Sequence, residues 1–147
     1  MIVLPMVGEG SRFKNAGYSI PKFALPINEK QTTFSLAVES FKLYFKDELF
    51  VFIIRDIINF EVEKFLIFEL KKMQISRYKI IKLQNITTGQ AETVRAGLEV
   101  LGPKYFKDEL TIFNIDSRRN MFEYDEKFRS HPYLEVFTGE GSQWSFA

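Results

Sequence analysis

The chain has 147 residues, 46% of them hydrophobic, and its 20 basic and 19 acidic residues leave a net charge of +1. That length suits one domain with a substantial core, while the balanced charge excludes a basic nucleic-acid-binding face and the lack of cysteine excludes disulfides, thiolate metal sites and a cysteine nucleophile. Because no apolar run reaches membrane-spanning length and the N-terminus lacks a signal-peptide pattern, we expect a cytoplasmic protein without a membrane partner.

Apolar runs alternate along the chain with segments of helical periodicity. The apolar runs predict strands at residues 2–7, 49–54, 78–83 and 110–115. The periodic segments predict helices at 33–45, 61–73 and 90–101, each with one buried face. In the last helix the predicted inward residues are Ala91, Val94, Leu98 and Leu101. The alternation indicates an α/β fold, a Rossmann-like, mostly parallel sheet with helices on both faces.

The pattern weakens after Asp116. Residues 133–137 predict a fifth strand, and residues 139–147 follow without a closing helix. Three helices are few for covering both faces of a doubly wound sheet. We therefore expect one domain, residues 1–147, that is truncated at its C-terminus, and a severed sheet of this kind would favour a homo-oligomer through exposed apolar surface.

Three informative segments follow predicted strands. They are the loop Gly8-x-Gly10-x-Arg12 after the first strand, residues 84–89 after the third and Asp116 after the fourth. Ligands of open α/β sheets bind beyond the carboxyl ends of the strands. The topology alone therefore predicts that these segments converge on one nucleotide site.

The residue types of the first segment suit phosphate. Gly8 and Gly10 allow close approach of backbone N–H groups, and Arg12 offers a planar donor fork, with Lys22 ten residues beyond it. The loop is neither a Walker motif nor a dinucleotide fingerprint, since Phe13 stands in place of a third glycine. Taken singly, Arg12 and Lys22 are better explained as solvated loop residues, but together with Gly8, Gly10 and Pro21 they favour a phosphate site.

The other two segments each allow two interpretations. Asp116, at the end of an apolar strand, could bind Mg²⁺ together with substrate phosphates, or it could cap a helix or pair with Arg118 or Arg119. Gln84 could form hydrogen bonds with the edge of a nucleotide base, and Gly89 could let the nucleotide come close to the main chain beside a helix N-terminus. Gln84 could equally be an ordinary polar residue at a strand end.

Residues 4–13, LPMVGEGSRF, followed by Pro21-Lys22, resemble the signature of sugar-phosphate nucleotidyltransferases, also called nucleotide-sugar pyrophosphorylases. The segment from Gln84 to Gly89 resembles the base-recognition segment of the glucose-1-phosphate thymidylyltransferase branch, and Asp116 is similar to the family's metal-binding aspartate. Within this family, the residues of the signature loop are most similar to those of enzymes encoded in bacterial capsule and surface-polysaccharide loci. The resemblance implies a nucleotide-diphospho-sugar transferase fold, of which this chain would be the N-terminal, nucleotide-binding portion.

The resemblance also implies an activity and a set of roles. The activity would be transfer of a nucleotidyl group from dTTP, CTP or UTP to a sugar 1-phosphate, with release of pyrophosphate. Arg12 would neutralise the pyrophosphate, Lys22 would stabilise charge at the α-phosphate, and Asp116 would hold Mg²⁺. The nucleotide-binding residues would be Met6, Val7, Gly8, Glu9, Gly10, Ser11, Gln84, Thr88 and Gly89.

Two other functions stay open on the sequence. A nucleotide-sugar-dependent glycosyltransferase of similar architecture would want an Asp-x-Asp motif near the fourth strand, where the chain has Asn114-Ile115-Asp116. A nucleotide-sensing or assembly module would keep the fold without turnover. The chain itself could also be an incomplete, inactive fragment of an enzyme.

Overall fold

A computed structural model describes residues 1–8, 10–128 and 131–136 of the chain. Within these residues four strands form one parallel sheet, in the order β3-β2-β1-β4. The strands are β1 (Ile2–Pro5), β2 (Phe50–Ile54), β3 (Tyr78–Lys82) and β4 (Thr111–Ile112). The α-helices are α1 (Ser11–Asn15), α2 (Thr33–Val38), α3 (Val62–Lys72) and α4 (Gln90–Leu101). Segments of 3₁₀ helix cover Lys22–Ala24, Glu39–Tyr44, Pro103–Tyr105 and Glu126–Phe128.

The helices cover both faces of the sheet, as predicted. Alternate residues of β1 and β2 point to opposite faces, as the period of a strand requires. Ile2 and Phe52 belong to an apolar cluster with residues of α2 and α3, whereas Val3 and Ile53 pack in a second cluster with α4. The fold is therefore the Rossmann-like α/β arrangement that the alternation of strands and helices indicates.

The strand order reverses at β1. The chain places β2 and β3 on one side of β1 and then crosses to put β4 on the other side. In parallel sheets such a reversal leaves a crevice beyond the carboxyl ends of the two strands that flank it. The expected ligand position is thus above β1 and β4.

The predicted helix at 33–45 is divided in the structure. It begins with a capping box, in which the Ser35 N–H donates to Thr32 Oγ1 at 3.1 Å and the Thr32 N–H donates to Ser35 Oγ at 2.9 Å. After Val38 it continues as a 3₁₀ turn that is interrupted by non-helical angles at Phe41. The Ser40 carbonyl there accepts from the Phe122 N–H at 2.8 Å, so the chain at this break is bonded to a residue from outside the helix.

The end of the sheet differs most from the prediction. The fourth strand is shorter than residues 110–115, because its bonds to β1 stop with the Phe113 N–H and a turn closes from the Ser117 N–H to the Asn114 carbonyl. The predicted fifth strand at 133–137 is wrong for residues 133–136, which form no strand and expose Leu134 and Val136 to solvent. Residue 137 and the segment 139–147 lie outside the described residues.

Helix α4 begins and ends at the predicted residues 90 and 101. Its buried face differs in part, since Ala91 is exposed whereas Thr93 and Gly97 are buried with Val94. None of the helices in the described ranges has the length and apolar character needed to cross a membrane.

Gly97 lets α4 lie close against β2. A Cβ atom at this position would lie 2.3 Å from Ile53 Cδ1 and 2.7 Å from Ile53 Cγ1, and Ile53 is fully buried. We expect Gly97→Val to lower the free energy of unfolding by about 1–3 kcal/mol, because the added atoms overpack a filled interface. Urea unfolding measures this change. Glu99→Val, on the exposed face of the same helix, is the matched control, and equal losses in both variants would contradict close packing as the cause.

Candidate functional site

A cleft of about 470 Å³ lies at the carboxyl ends of the strands. Its walls come from the loop after β1, from Arg55 after β2, from residues 87–90 at the start of α4 and from residues 114–116 after β4. Residues 18–23 close another side. Within the described ranges, the cleft therefore gathers segments from all around the reversal of strand order, where ligands of such sheets bind.

The glycine loop leaves open space in this cleft. Gly8 and Gly10 both line it, and a Cβ built on either residue would meet no atom within 4 Å. Gly10 has a φ of +63°, a left-handed conformation that glycine adopts without strain. A ligand can therefore approach the main chain of this loop more closely than side chains would allow.

Of the other residues predicted in this loop, some line the cleft and some do not. Met6 and Val7 are buried and line the cleft. Ser11 and Arg12 are exposed in the first turn of α1 and are not among the described lining residues. Glu9 lies outside the residues that the structure describes. The structure thus brings the strand end and the glycines to the cleft, and holds Arg12 outside its lining.

Lys22 and Asp116 meet in the cleft. Lys22 Nζ donates to Asp116 Oδ2 at 2.7 Å, although the two residues are 94 positions apart in the sequence. Neither Arg118 nor Arg119 is the partner of Asp116; Arg119 pairs with Glu135 instead. Both side chains of the pair keep partial access to solvent, so the pair adds little to stability, about 0–1 kcal/mol. A weakly held pair of this kind can be exchanged for ligand contacts.

The segment before α4 is held by contacts with the first turns of that helix. Thr88 donates its main-chain N–H and its hydroxyl to the Glu92 carboxylate, at 2.6 and 2.7 Å. Thr93 Oγ1 donates to the Gly89 carbonyl at 3.0 Å. Thr88 and Gly89 line the cleft, and a Cβ at Gly89 would meet no atom within 4 Å. Gln84 is exposed and is not among the described lining residues.

The hydrogen bonds to Glu92 change its acidity. The backbone N–H of Thr88, followed by the Thr88 hydroxyl, lowers the pKa of Glu92 below the ordinary value of 4.5. Because the folded-state pKa lies below the unfolded one, the contact is present at neutral pH and is lost as the pH falls through the folded-state pKa. The cleft wall at Thr88 is therefore held in place by an ionised carboxylate.

Sequence reasoning missed several residues of the cleft. Arg55 follows β2 directly, and its Nε donates to the Val7 carbonyl at 2.8 Å. Gln90 and Asn114 bond to each other across the cleft wall through their side chains. The same strand-end rule that selected Asp116 would have selected Arg55, had it been applied to the second strand. No comparable signal marks Gln90, whose partner is 24 residues away.

Comparison with known proteins gives one informative match. No family model and no curated protein matches the chain. Among solved structures it is similar to a nucleoside-diphosphate-sugar pyrophosphorylase from Vibrio cholerae RC9, with 41% sequence identity and a TM-score of 0.86 over 100% of this chain. Over its whole length the chain therefore resembles a nucleotide-sugar pyrophosphorylase. It spans 60% of the length of that pyrophosphorylase.

This similarity confirms the resemblance to nucleotide-sugar pyrophosphorylases that residues 4–13 and Pro21-Lys22 predicted. The similarity also agrees with the observed fold, because the match covers the whole chain and therefore all four strands of the sheet. The individual roles of the cleft residues stay predictions.

We expect Thr88→Val to raise the pKa of Glu92 toward its ordinary value of 4.5, because the variant removes one of the two bonds that favour the carboxylate. The main-chain N–H remains, so the shift is partial. A carbon-detected NMR titration of the Glu92 carboxyl group measures it. Thr88→Ser keeps the hydroxyl and serves as the control; a raised pKa in the serine variant as well would show that the hydroxyl is not responsible.

Proposed function

We propose that the cleft binds a nucleoside triphosphate, and that the chain supplies the nucleotide-binding part of an enzyme transferring a nucleotidyl group to a sugar 1-phosphate. The observation that carries the proposal is the Lys22–Asp116 pair, in which a cation suited to phosphate and a carboxylate suited to a metal lie 2.7 Å apart. Similarity to a nucleoside-diphosphate-sugar pyrophosphorylase supports it. The products are a nucleotide-sugar and pyrophosphate, formed in the cytoplasm for bacterial surface polysaccharides such as capsule.

The reaction is an in-line displacement at the α-phosphorus. An oxygen of the sugar phosphate forms a new bond to this phosphorus, and the bond from the phosphorus to the bridging oxygen breaks. Pyrophosphate leaves with the bonding electrons. Because both reactants are already ionised phosphates, catalysis depends on alignment and on neutralisation of charge rather than on proton transfer.

The residues of the cleft divide these tasks. The main chain from Met6 to Ser11 holds the phosphates, since Gly8 and Gly10 leave room for close approach. Lys22 stabilises charge at the α-phosphate, and Arg12, exposed on α1, neutralises the departing pyrophosphate.

The base is proposed to lie against the segment before α4. Gly89 leaves open space beside its main chain, and Thr88 is held in place by Glu92. Gln84 supplies both a donor and an acceptor for a base edge. Gln84 lies outside the described lining of the cleft, so this contact requires its side chain to turn toward the ligand.

The donor set of the cleft fits a Mg²⁺ ion that binds with the nucleotide. Asp116 is the one carboxylate among the described lining residues, and the described ranges contain no cluster of three or more His, Cys, Asp or Glu residues suited to a metal. One carboxylate together with substrate phosphates is a common way for proteins to bind Mg²⁺. When bound at Asp116, the ion would neutralise phosphate charge.

In the free protein, the ion pair gives each of the two charged side chains, Lys22 and Asp116, a partner of opposite charge. Lys22 and Asp116 neutralise each other until the ligand brings opposite charges of its own. Phosphate oxygens then replace Asp116 as the partner of Lys22, while Asp116 is released for the cation. Because the exchanged pair is partly exposed and weak, its loss costs little compared with charge-assisted bonds to phosphate.

Calorimetric titration with dTTP, CTP and UTP in Mg²⁺ tests the binding step. We expect the folded protein to bind at least one of the three, and to release pyrophosphate with that nucleotide when a matching sugar 1-phosphate from a panel is added. If the folded protein binds none of the three nucleotides, the proposal is wrong. Binding without pyrophosphate release from any sugar phosphate would favour a module that retains the site without turnover.

Asp116→Asn tests the metal role. In the wild type we expect nucleotide affinity to fall when Mg²⁺ is removed with a chelator, whereas in the variant the affinity should depend on Mg²⁺ about 10-fold less, because the charged ligand is gone. Asp125→Asn, an exposed carboxylate outside the described cleft lining, is the matched control. An unchanged Mg²⁺ dependence in Asp116→Asn would remove Asp116 from the metal site.

A further inference from the structure

Arg55 is a half-buried cation in the wall of the cleft. It follows the last residue of β2, so the sheet itself fixes the position of its backbone. Its Nε donates to the Val7 carbonyl at 2.8 Å, and its Nη1 donates to the Asp56 carbonyl at 3.2 Å. Both of these acceptors are main-chain oxygens, so they orient the guanidinium without cancelling its charge.

The carboxylate nearest in sequence is engaged elsewhere. Asp56 Oδ1 lies 2.7 Å from Lys82 Nζ, and no described carboxylate lies within ion-pair distance of Arg55. Lys14 and Lys22 are the other described cations of the lining, of which Lys22 is paired with Asp116 and Lys14 is exposed on α1. Arg55 is thus the half-buried cation of the described lining that keeps its full charge for a ligand.

The remaining donors of Arg55 suit phosphate. A guanidinium carries five N–H groups in a planar fork. The bonds to Val7 and Asp56 use two of them, which leaves one hydrogen on Nη1 and both on Nη2. Two neighbouring nitrogens with free hydrogens match two oxygens of one phosphate group. The bond to Val7 also links this fork to the residue just before Gly8, so the phosphate-binding main chain and the guanidinium are held together.

We propose that Arg55 binds phosphate oxygens of the nucleotide in the cleft, with its guanidinium oriented by the Val7 carbonyl. The proposal rests on the proposed function, in that the anion is taken to be the triphosphate of the substrate. It gives the cleft wall a planar phosphate-binding fork, whereas Arg12 stands outside the described lining. Arg55 contacts the substrate directly and is therefore a substrate-binding residue of the reaction.

Arg55→Gln separates the two roles of the side chain. The Nε2 atom of glutamine stands as many bonds from the backbone as the Nε atom of arginine, so the variant keeps a donor for Val7 and loses the charged fork. We expect it to fold with wild-type stability in urea and to bind both the nucleotide triphosphate and inorganic tripolyphosphate at least about 10-fold more weakly. Arg55→Lys, which keeps the charge, should recover part of the loss.

Two controls distinguish phosphate binding from a structural role. Arg95→Gln removes an exposed arginine that pairs with Glu99 on α4, outside the described lining, and should leave both affinities unchanged. NMR titration with the nucleoside, which lacks phosphate, should give the same affinity in Arg55→Gln as in the wild type.

The outcomes separate this inference from the proposed function. Wild-type affinity for nucleotide and tripolyphosphate in Arg55→Gln overturns the role of Arg55 and leaves the nucleotide site standing. Equal weakening of nucleoside and triphosphate shows that Arg55 only shapes the loop, and also overturns the inference. Failure of the wild type to bind either phosphate compound overturns both proposals together.

Discussion

Burial of β1 between two parallel neighbours is the constraint on which the rest of the molecule depends. Ile2, Val3 and Leu4 have no exposed surface, and β1 pairs with β2 on one side and β4 on the other. Because the chain must cross from β3 over the sheet to reach the far side of β1, the order of strands reverses there. The carboxyl ends of β1, β2 and β4 consequently face one cleft, and the residues that follow them form much of its wall.

Local patterns predicted most of the elements, and the clearest exception has a long-range cause. Helix α4 matches the predicted range because periodicity and the stop at Gly102-Pro103 are local properties. The break at Phe41 coincides with a hydrogen bond from Phe122, which lies more than 80 residues later. The early end of β4 depends on the turn that starts at Asn114. The contact with Phe122 leaves no periodic trace in the sequence, so no local pattern could have reported it, whereas the turn is a local feature that the apolar run concealed.

The site was predictable in its location and less so in its partners. Topology brings Gly8, Gly89 and Asp116 into one cleft, since each follows a strand or begins the next helix at the same edge of the sheet. The partner of Asp116 was not predictable from the sequence. Two arginines lie close to Asp116 in the chain, whereas its actual partner, a lysine 94 residues away, comes near it only when the sheet has formed. Arg55 was within reach of the rule used for the other strand ends. A charged residue at the end of a fully buried strand is informative for the same reason that Asp116 is: burial of a charge is costly unless a partner or ligand compensates it.

The glycines show why residue type alone does not identify the site. At Gly97 the missing side chain makes room for Ile53, so the glycine serves the contact between α4 and β2. At Gly8 and Gly89 the same absence leaves space that no described atom of the protein fills. Space filled by the protein's own core contributes to stability, whereas space left open beside backbone N–H groups contributes nothing until a ligand enters. Gly8 and Gly89 are not required for packing, and both line the cleft that also contains the ion pair between Lys22 and Asp116. In the proposed nucleotide site, the open main chain would let an anion approach closely, and the exchangeable ion pair would supply the charges that hold the anion and its cation.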